Sequence, residues 1–263
     1  MLLQDRVAVL YGASGNVGRA VARAFAREGA MVFLTGRRRA AVDALVRDLV
    51  SESFKADAAE VDALDERAIE RHLDSVMERT GRLDVSFNAT GIPQARIQGI
   101  PLTDLPLESF LLPISHYARS HFLTARAAAR RMSVRGSGVI MMHTPEPGRM
   151  GAPLVGGMGP AWAAMEGLTR SLSAELAAHG VRSVCLRSTG IPETSTIDTV
   201  FDLHAKALGL DRKGFLQLVE SRTHRQRSTS LAELANAAVF LASDRASAMT
   251  GTVVNLTGGI VVD

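Results

Sequence analysis

"RVAVLYGASGNVG" (residues 6–18) joins an apolar run of strand length to a glycine-rich turn and the start of a helix. Gly12 permits the tight turn after the strand, and Gly18 allows the helix to pack closely against the sheet. The amino end of such a helix offers unpaired backbone N–H groups and a partial positive charge, which suit a pyrophosphate. The stretch therefore predicts a strand–turn–helix unit that binds a dinucleotide.

Outward from this stretch, apolar runs of strand length alternate with segments of helical period. The predicted strands cover residues 6–11, 31–35, 58–63, 83–89, 138–144, 181–186 and 252–256. The predicted helices cover residues 17–30, 38–50, 65–80, 108–133, 158–179 and 230–243, and a mostly helical insertion covers residues 195–225. This order predicts a single α/β domain over residues 1–263, with a Rossmann-like, doubly wound parallel sheet of about seven strands and helices on both faces.

The composition excludes several classes of protein. The 263 residues are 46% hydrophobic, and 30 basic against 27 acidic residues give a net charge of +3. This near balance argues against a nucleic-acid partner, and no apolar run approaches the roughly 18 residues that would cross a membrane. Cys185 is the only cysteine, and the N-terminal residues carry no signal-peptide pattern, so we expect a cytoplasmic protein without disulfides. No metal site is expected.

The end of the second predicted strand indicates which dinucleotide is bound. An acidic side chain there would bind the ribose 2′-hydroxyl and repel a 2′-phosphate. The sequence instead reads TGRRR, with Gly36 at the acidic position and Arg37 and Arg38 after it. A guanidinium matches a phosphate in charge and in forked hydrogen-bond geometry. NADP(H) is therefore favoured over NAD(H), while Arg39 is expected to be a solvated residue at the start of the next helix.

Four motifs resemble the short-chain dehydrogenase/reductase family along nearly the whole chain. YGASGNVG (11–18) resembles the family's Thr-Gly-x-x-x-Gly-x-Gly turn, and FNATG (87–91) resembles its Asn-Asn-Ala-Gly motif. TGIPET (189–194) resembles its Pro-Gly-x-x-x-Thr segment, and AVFLASDRASAMTGTVVNLTGG (238–259) is similar to its C-terminal signature. The resemblance implies an oxidoreductase that uses NAD(P).

The resemblance also implies the cofactor contacts. Asp62 and Ala63 would flank the adenine, residues 88–91 would line the inner ribose, and Thr194 would reach the nicotinamide carboxamide. The expected cofactor-binding residues are Gly12, Ser14, Gly15, Asn16, Val17, Gly18, Arg37, Arg38, Asp62, Ala63, Asn88, Ala89, Gly91 and Thr194.

Four motif positions depart from the family pattern. Tyr11 replaces the usual Thr, Asn16 the middle Gly, Ala89 the second Asn, and Thr189 the Pro. Asparagine tolerates a left-handed backbone, so the turn is expected to persist at Asn16. Together the four changes indicate that the constraint on the family's motif residues is relaxed or redirected in this chain.

The family's catalytic side chains are missing from the corresponding positions. By resemblance, a Tyr exchanges the proton, a Lys four residues later lowers its pKa, a Ser orients the substrate oxygen and an Asn completes a relay. Aligned on GLTRSLSAEL, these positions hold Met158, Trp162, Pro145 and Tyr117, and the chain contains no Tyr-x-x-x-Lys. Methionine has no proton to give and an indole carries no positive charge. The family's usual ketone–alcohol mechanism is therefore excluded.

Two groups are candidates to replace this machinery. Tyr117 places a phenol at the family's Asn position with His121 one helical turn away, although packing or a helix-pair interface would equally explain them. Thr144 has a hydroxyl that could orient a substrate. His143 points to the opposite face of the strand and is expected to be structural.

Met158 and Trp162, four residues apart on one helix, predict an apolar wall against the nicotinamide. Such a wall suits hydride transfer to an activated carbon, such as an iminium or a conjugated double bond. Glu146 and Glu193 flank the expected pocket or else face solvent. The insertion at 195–225 forms either an apolar lid or a tetramer contact. The candidate lid side chains are Leu203, Leu208, Leu210, Phe215 and Leu218.

The sequence thus favours an NADP(H)-binding oxidoreductase with a non-standard active site and a small, apolar substrate or ligand. One alternative is a pseudoenzyme that binds nucleotide or ligand as a sensor or assembly partner, and another is a non-redox isomerase or cyclase. By resemblance, the helices at 108–133 and 158–179 form oligomer surfaces, which predicts a homodimer or homotetramer.

Overall fold

Within residues 1–262, which the computed structural model describes, seven strands form one parallel sheet in the order β3-β2-β1-β4-β5-β6-β7. The strand order reverses between β1 and β4, and this is where open α/β sheets bind ligands at the carboxyl ends of their strands. The strands are β1 Val7–Tyr11, β2 Met31–Gly36, β3 Ala56–Glu60, β4 Val85–Asn88, β5 Gly138–Pro145, β6 Val181–Ser188 and β7 Thr252–Leu256.

Helices cover both faces of this sheet. Helices α1, α2 and α8 contribute to one buried apolar cluster, and α3, α4 and α5 contribute to the other. The helices are α1 Asn16–Arg27, α2 Arg39–Ser51, α3 Glu66–Thr80, α4 Leu107–Arg135, α5 Met158–Leu176, α6 Ser195–Ala207, α7 Arg212–Ser221 and α8 Leu231–Ala242. The predicted Rossmann-like architecture is therefore confirmed.

Strand β1 shows how the sequence specifies the two layers. All five of its residues are buried, as expected of a central strand in a parallel sheet that is covered on both faces. Ala8 and Leu10 belong to one apolar cluster, while Val7, Val9 and Tyr11 belong to the other. Alternate residues of a strand point to opposite faces, so one short run supports both layers.

Some predicted boundaries shift for physical reasons. Strand β3 spans Ala56–Glu60 instead of 58–63, because the buried residues Val61 and Ala63 follow the strand and pack into the second apolar cluster. Helix α5 begins at Met158, so Pro160 lies in the first turn, where its missing N–H costs nothing. The insertion at 195–225 contains two helices, α6 and α7. None of the helices in residues 1–262 is long and apolar enough to span a membrane.

Gly18, in the first turn of α1, packs directly against the backbone of the turn after β1. A Cβ on Gly18 would lie 2.5 Å from the backbone oxygen of Gly12 and 2.8 Å from the Cα of Ala13. Both neighbours are backbone atoms, so no side-chain movement could relieve the overlap. The start of α1 can approach the sheet only because residue 18 is glycine.

We expect Gly18→Ala to lower the free energy of unfolding by about 1–3 kcal/mol, the usual cost of overpacking a close contact. Gly167→Ala is the matched control, because it also lies inside a helix, and its new Cβ would meet only the Arg170 guanidinium at 4.0 Å. That control should raise the free energy by up to about 1 kcal/mol through better helix propensity. Urea denaturation measures both, and equal effects would contradict the close approach at Gly18.

Candidate active site

A cavity of about 930 Å³ opens at the carboxyl edge of the sheet, beside the loops that follow the neighbouring strands β1 and β4. It is lined by the turn after β1, by the residues that follow β2 to β6, and by α5, α6 and α7. The cavity brings together every expected cofactor-binding residue except Gly18, which lies buried beneath it. These residues are Gly12, Ser14, Gly15, Asn16, Val17, Arg37, Arg38, Asp62, Ala63, Asn88, Ala89, Gly91 and Thr194.

The turn between β1 and α1 has the features of an anion site. Gly12 has a φ of 71°, and a Cβ there would lie 2.7 Å from the backbone oxygen of Ala89. No side chain caps α1, so the first-turn N–H groups are available to an anion.

Asn16 differs from the expectation for the turn. It is the first residue of α1 and does not adopt a left-handed backbone. Its Oδ1 accepts hydrogen bonds from the backbone N and the Oγ of Ser195, at 3.3 and 3.1 Å. The residue thus connects the start of α1 to the start of α6.

The two arginines after β2 lie at one end of the cavity. Arg37 and Arg38 are exposed and line it. Arg39 begins α2, and its Nε donates to the Asp43 carboxylate at 2.8 Å. The geometry therefore separates the first two arginines, which face the cavity, from the third, which forms an ion pair within its own helix.

Asn88, at the end of β4, holds the loop that follows it. Its Nδ2 donates to the Thr124 hydroxyl at 3.0 Å and to the Ser120 carbonyl at 3.3 Å, and its Oδ1 accepts from the backbone N of Thr90 at 2.9 Å. The amide thus anchors residues 89–91 along the cavity.

The residues at the family's Tyr and Lys positions both line the cavity from α5. Met158 is 1% exposed and Trp162 is 8% exposed, and we call this pair the Met–Trp wall. The wall lies close to the loop after β5. A Cβ on Gly148 in that loop would lie 2.9 Å from the Cβ of Trp162.

The structure reverses the expected roles of the two residues at the end of β5. The hydroxyl of Thr144 is buried beneath α5 and donates to Glu166 Oε1 at 3.1 Å, so it cannot orient a substrate. His143 lines the cavity instead, with its Nε2 2.8 Å from Ser188 Oγ. The two side chains point to opposite faces of β5, as strand alternation predicts. The expectation that Thr144, and not His143, faces the cavity was wrong. Burial lowers the pKa of His143 to about 4, so the imidazole is neutral at pH 7.

Tyr117 and His121 differ in their access to the cavity. Tyr117 lines it, and burial raises its pKa to about 12. His121 is 1% exposed, and its Nδ1 lies 3.0 Å from the carbonyl oxygen of Tyr117. Burial lowers the pKa of His121 to about 4, and its ring centroid lies 5.8 Å from that of Tyr117. This arrangement fits packing within α4 better than proton transfer by His121.

Helices α6 and α7 enclose the far end of the cavity in apolar side chains, which we call the apolar chamber. The chamber residues are Val200, Phe201, Leu208, Phe215, Leu218 and Val219. Three of the five predicted lid residues belong to it. Leu203 instead packs against Gly99, where a Cβ would meet its backbone oxygen at 3.0 Å, and Leu210 lies outside the cavity lining.

Several cavity residues were not found from the sequence. His204 Nε2 lies 3.0 Å from Gln98 Oε1, and both residues are buried. Arg222 lines the cavity just after α7. Of the two acidic residues expected to flank the pocket or face solvent, Glu146 lines the cavity. Glu193, by contrast, accepts from the backbone N of Leu231 at the start of α8. Polar residues scattered over separate loops carry no periodic signal, so only the fold brings them together.

A buried ion pair supports the wall from beneath. Arg187 on β6 donates through Nε and Nη2 to the two carboxylate oxygens of Glu166 on α5, at 2.8 and 2.7 Å. Both side chains are 4% exposed. Glu166 lies one helical turn after Trp162, so the pair holds α5 against the sheet at the wall.

The comparisons with known proteins agree with this architecture. The family model described as enoyl-(acyl carrier protein) reductase matches residues 12–261. The A-factor type gamma-butyrolactone 1'-reductase (1S-forming) of Streptomyces virginiae is 30% identical over 262 residues, which is 99% of this chain and 97% of that protein. The L-rhamnose 1-dehydrogenase (NAD(P)(+)) of Azotobacter vinelandii is 28% identical over 268 residues, covering 100% and 99%.

Solved structures give the same result. NAD⁺-bound xylitol dehydrogenase has a TM-score of 0.92 at 25% identity, covering 98% of this chain and 100% of that one. A gluconate 5-dehydrogenase from Burkholderia cenocepacia, in complex with NADP and tartrate, has a TM-score of 0.85 at 26% identity, covering 98% and 96%. The chain belongs to the short-chain dehydrogenase/reductase family of oxidoreductases, whose relatives bind NAD(P).

We expect Glu166→Gln to lower the free energy of unfolding by about 3–5 kcal/mol, because it leaves a buried positive charge facing a neutral amide. Asp43→Asn is the control, since it breaks the exposed pair between Arg39 and Asp43 and should cost at most about 1 kcal/mol. Chemical denaturation of the purified variants compares the two. Similar costs for both would show that the ion pair does not support α5.

Proposed function

We propose that the protein is an NADP(H)-dependent oxidoreductase that acts on a small, apolar substrate without a Tyr–Lys proton relay. The observation that carries the proposal is the continuity of the cavity. It leads from Arg37 and Arg38, past the uncapped start of α1 and the Met–Trp wall, into the apolar chamber.

The residues present fit a bound dinucleotide phosphate. A Cβ at Gly12 would overlap the backbone of the loop after β4, so the glycine keeps the turn tight beside the cavity. The uncapped N–H groups of α1 suit the pyrophosphate, and the guanidinium groups of Arg37 and Arg38 suit a 2′-phosphate. When bound, NADPH supplies a hydride.

The chain's own residues then have distinct tasks. Met158 and Trp162 present apolar surface at the reacting end of the cavity and exclude water there, which strengthens every electrostatic interaction inside. The apolar chamber binds the body of the substrate through burial of apolar surface. His143 stays neutral beside the wall because burial lowers its pKa to about 4.

The relatives support the redox class but differ in cofactor. The name of the L-rhamnose 1-dehydrogenase includes both NAD⁺ and NADP⁺. The xylitol dehydrogenase structure contains NAD⁺, and the gluconate 5-dehydrogenase structure contains NADP. The preference for NADP(H) therefore rests on Arg37 and Arg38 of this chain.

The principal alternative is a protein that binds the nucleotide without turnover. The replacement of both the Tyr and the Lys by Met158 and Trp162 favours it. NADPH binding without NADPH oxidation over a broad panel of carbonyl compounds would support this alternative, and turnover that does not respond to nucleotide would instead indicate an isomerase or cyclase.

We further propose that α4 and α5 form the contact of a homodimer or homotetramer. Phe122 is 44% exposed on the outer face of α4 and lines a shallow apolar groove with Met165 and Leu168 of α5. Light scattering of the purified protein measures the oligomeric state, and a stable monomer would contradict the proposal.

Calorimetric titration with NADPH and NADH tests the cofactor preference. Arg37→Ala and Arg38→Ala should each weaken NADPH binding by about ten- to a hundredfold, the value of a charge-assisted hydrogen bond, and leave NADH binding nearly unchanged. Arg39→Ala is the matched control and should bind NADPH as the wild type does, because Arg39 pairs with Asp43. Equal affinity of the wild type for the two nucleotides would contradict the preference, and no binding of either would contradict the proposed function.

A further inference from the structure

Glu146 occupies a position that no part of the family's mechanism uses. It begins the short helical turn Glu146–Gly148, directly after β5. This turn packs on the first turns of α5, since a Cβ on Gly159 would lie 3.3 Å from the carbonyl oxygen of Pro147. Glu146 and Trp162 line the same cavity, and the turn that carries Glu146 is in contact with the helix that carries Trp162.

One carboxyl oxygen of the partly buried Glu146 is enclosed without a hydrogen-bond partner. Its Oε2 is inaccessible to solvent and has no hydrogen-bond partner. Buried polar side chains in proteins are nearly always hydrogen-bonded, and an exception calls for an explanation. An oxygen without a protein partner, on a side chain that lines the cavity, is explained most simply if a polar atom of a ligand completes its hydrogen bonding.

Burial has a larger effect on the protonation of Glu146 than the charges around it. Burial raises its pKa to about 7, against the opposing effects of its own backbone N–H and of Arg222. Arg222 lies after α7, is exposed and lines the same cavity. On α5, Glu166 is committed to the ion pair with Arg187. Arg222 is therefore the positive charge that faces the carboxyl group.

The histidines and the tyrosine that line the cavity are neutral near pH 7. Burial lowers the pKa of His143 on β5 to about 4 and raises that of Tyr117 on α4 to about 12. Burial also lowers the pKa of His116 on α4 and of His204 on α6. A pH dependence of the reaction in the neutral range would therefore come from Glu146.

We propose that Glu146 exchanges the proton with the substrate oxygen, in place of the absent tyrosine, and that the substrate is a ketone or aldehyde on an apolar body. This inference rests on the proposed function. In the direction of reduction, the carbonyl carbon accepts the hydride supplied by the reduced nicotinamide, and the π electrons of the C=O bond move onto oxygen. That oxygen takes the proton from the Glu146 carboxyl group. The products are the alcohol, the oxidised nicotinamide and the Glu146 carboxylate, which solvent reprotonates.

The direction of the pH dependence follows from this assignment. A carboxyl group with a pKa near 7 carries its proton below that pH and loses it above. Carbonyl reduction should therefore have a constant kcat/KM below about pH 7 and fall about tenfold per pH unit above it. Alcohol oxidation needs the carboxylate and should show the opposite dependence.

The test uses Glu146→Gln, Glu146→Asp and the matched control Glu175→Gln, which changes an exposed residue of α5. Calorimetry with NADPH is run first on all four proteins and examines the proposed function by itself. The carboxyl groups are then titrated by ¹³C NMR on glutamate-labelled protein. NADPH oxidation is followed across neutral pH with 2-decanone, 2-decalone and decanal as probes.

We expect all four proteins to bind NADPH equally. The wild type should show a glutamate carboxyl signal that titrates near neutral pH, and Glu146→Gln should lack it. Glu146→Gln should lose about 10²–10⁴-fold in kcat/KM, the usual value of a positioned general acid, and the remainder should not depend on pH across the neutral range. Glu146→Asp should keep a pH-dependent fraction of the activity, and Glu175→Gln should match the wild type.

Several results would overturn the inference while NADPH binding stays intact. These are a Glu146 signal that titrates in the ordinary acidic range, a Glu146→Gln variant as active as the wild type, and a wild type that reduces none of the three probes. Reduction that rises as the carboxyl group ionises would also overturn it, because Glu146 would then act as a counter-ion for a cationic substrate. Failure to bind NADPH would refute the proposed function itself.

Discussion

The parallel direction of the seven strands is the constraint on which the site depends. Because all strands end at one edge, the loops that follow them collect there, and the reversal of strand order between β1 and β4 leaves a crevice between two of those loops. Gly12 lies where the loops meet, with the backbone of Ala89 so close that a side chain would not fit. The cavity lies beside that contact, where the loops after β1 and β4 separate. Helices α6 and α7 cover its far side.

The two ends of the cavity are electrostatically different. At the β2 end, the positively charged guanidinium groups of Arg37 and Arg38 are exposed to water. At the other end, burial favours the neutral forms of His143, Tyr117 and Glu146. Burial therefore acts in opposite directions on different groups there, lowering the pKa of His143 and raising those of Tyr117 and Glu146. One end is suited to an anion and the other to a reaction that moves a single proton in a dry site.

The periodic features of the sequence predicted the fold, while its isolated residues predicted only part of the cavity lining. Alternating apolar runs and the glycine turn were sufficient for the sheet, the helices and the cofactor edge, because those signals repeat or have one steric explanation. Strand alternation put Thr144 and His143 on opposite faces but could not say which face would meet α5, since that depends on the partner Glu166 two elements away. The burial of Glu146 depends likewise on the packing of its turn against α5, a contact that no spacing within the chain reveals.

The bonds between Asn16 and Ser195 connect the first turn of α1 to the first turn of α6 across 179 residues of sequence. Any outward movement of α6 must break these bonds or pull on the first turn of α1. Occupancy of the apolar chamber and occupancy of the nucleotide site then share one mechanical connection. By thermodynamic linkage, if one ligand changes the affinity for the second by some factor, the second changes the affinity for the first by the same factor. Asn16, which stands where the family has glycine, therefore connects the two halves of the cavity through a side chain that glycine does not have.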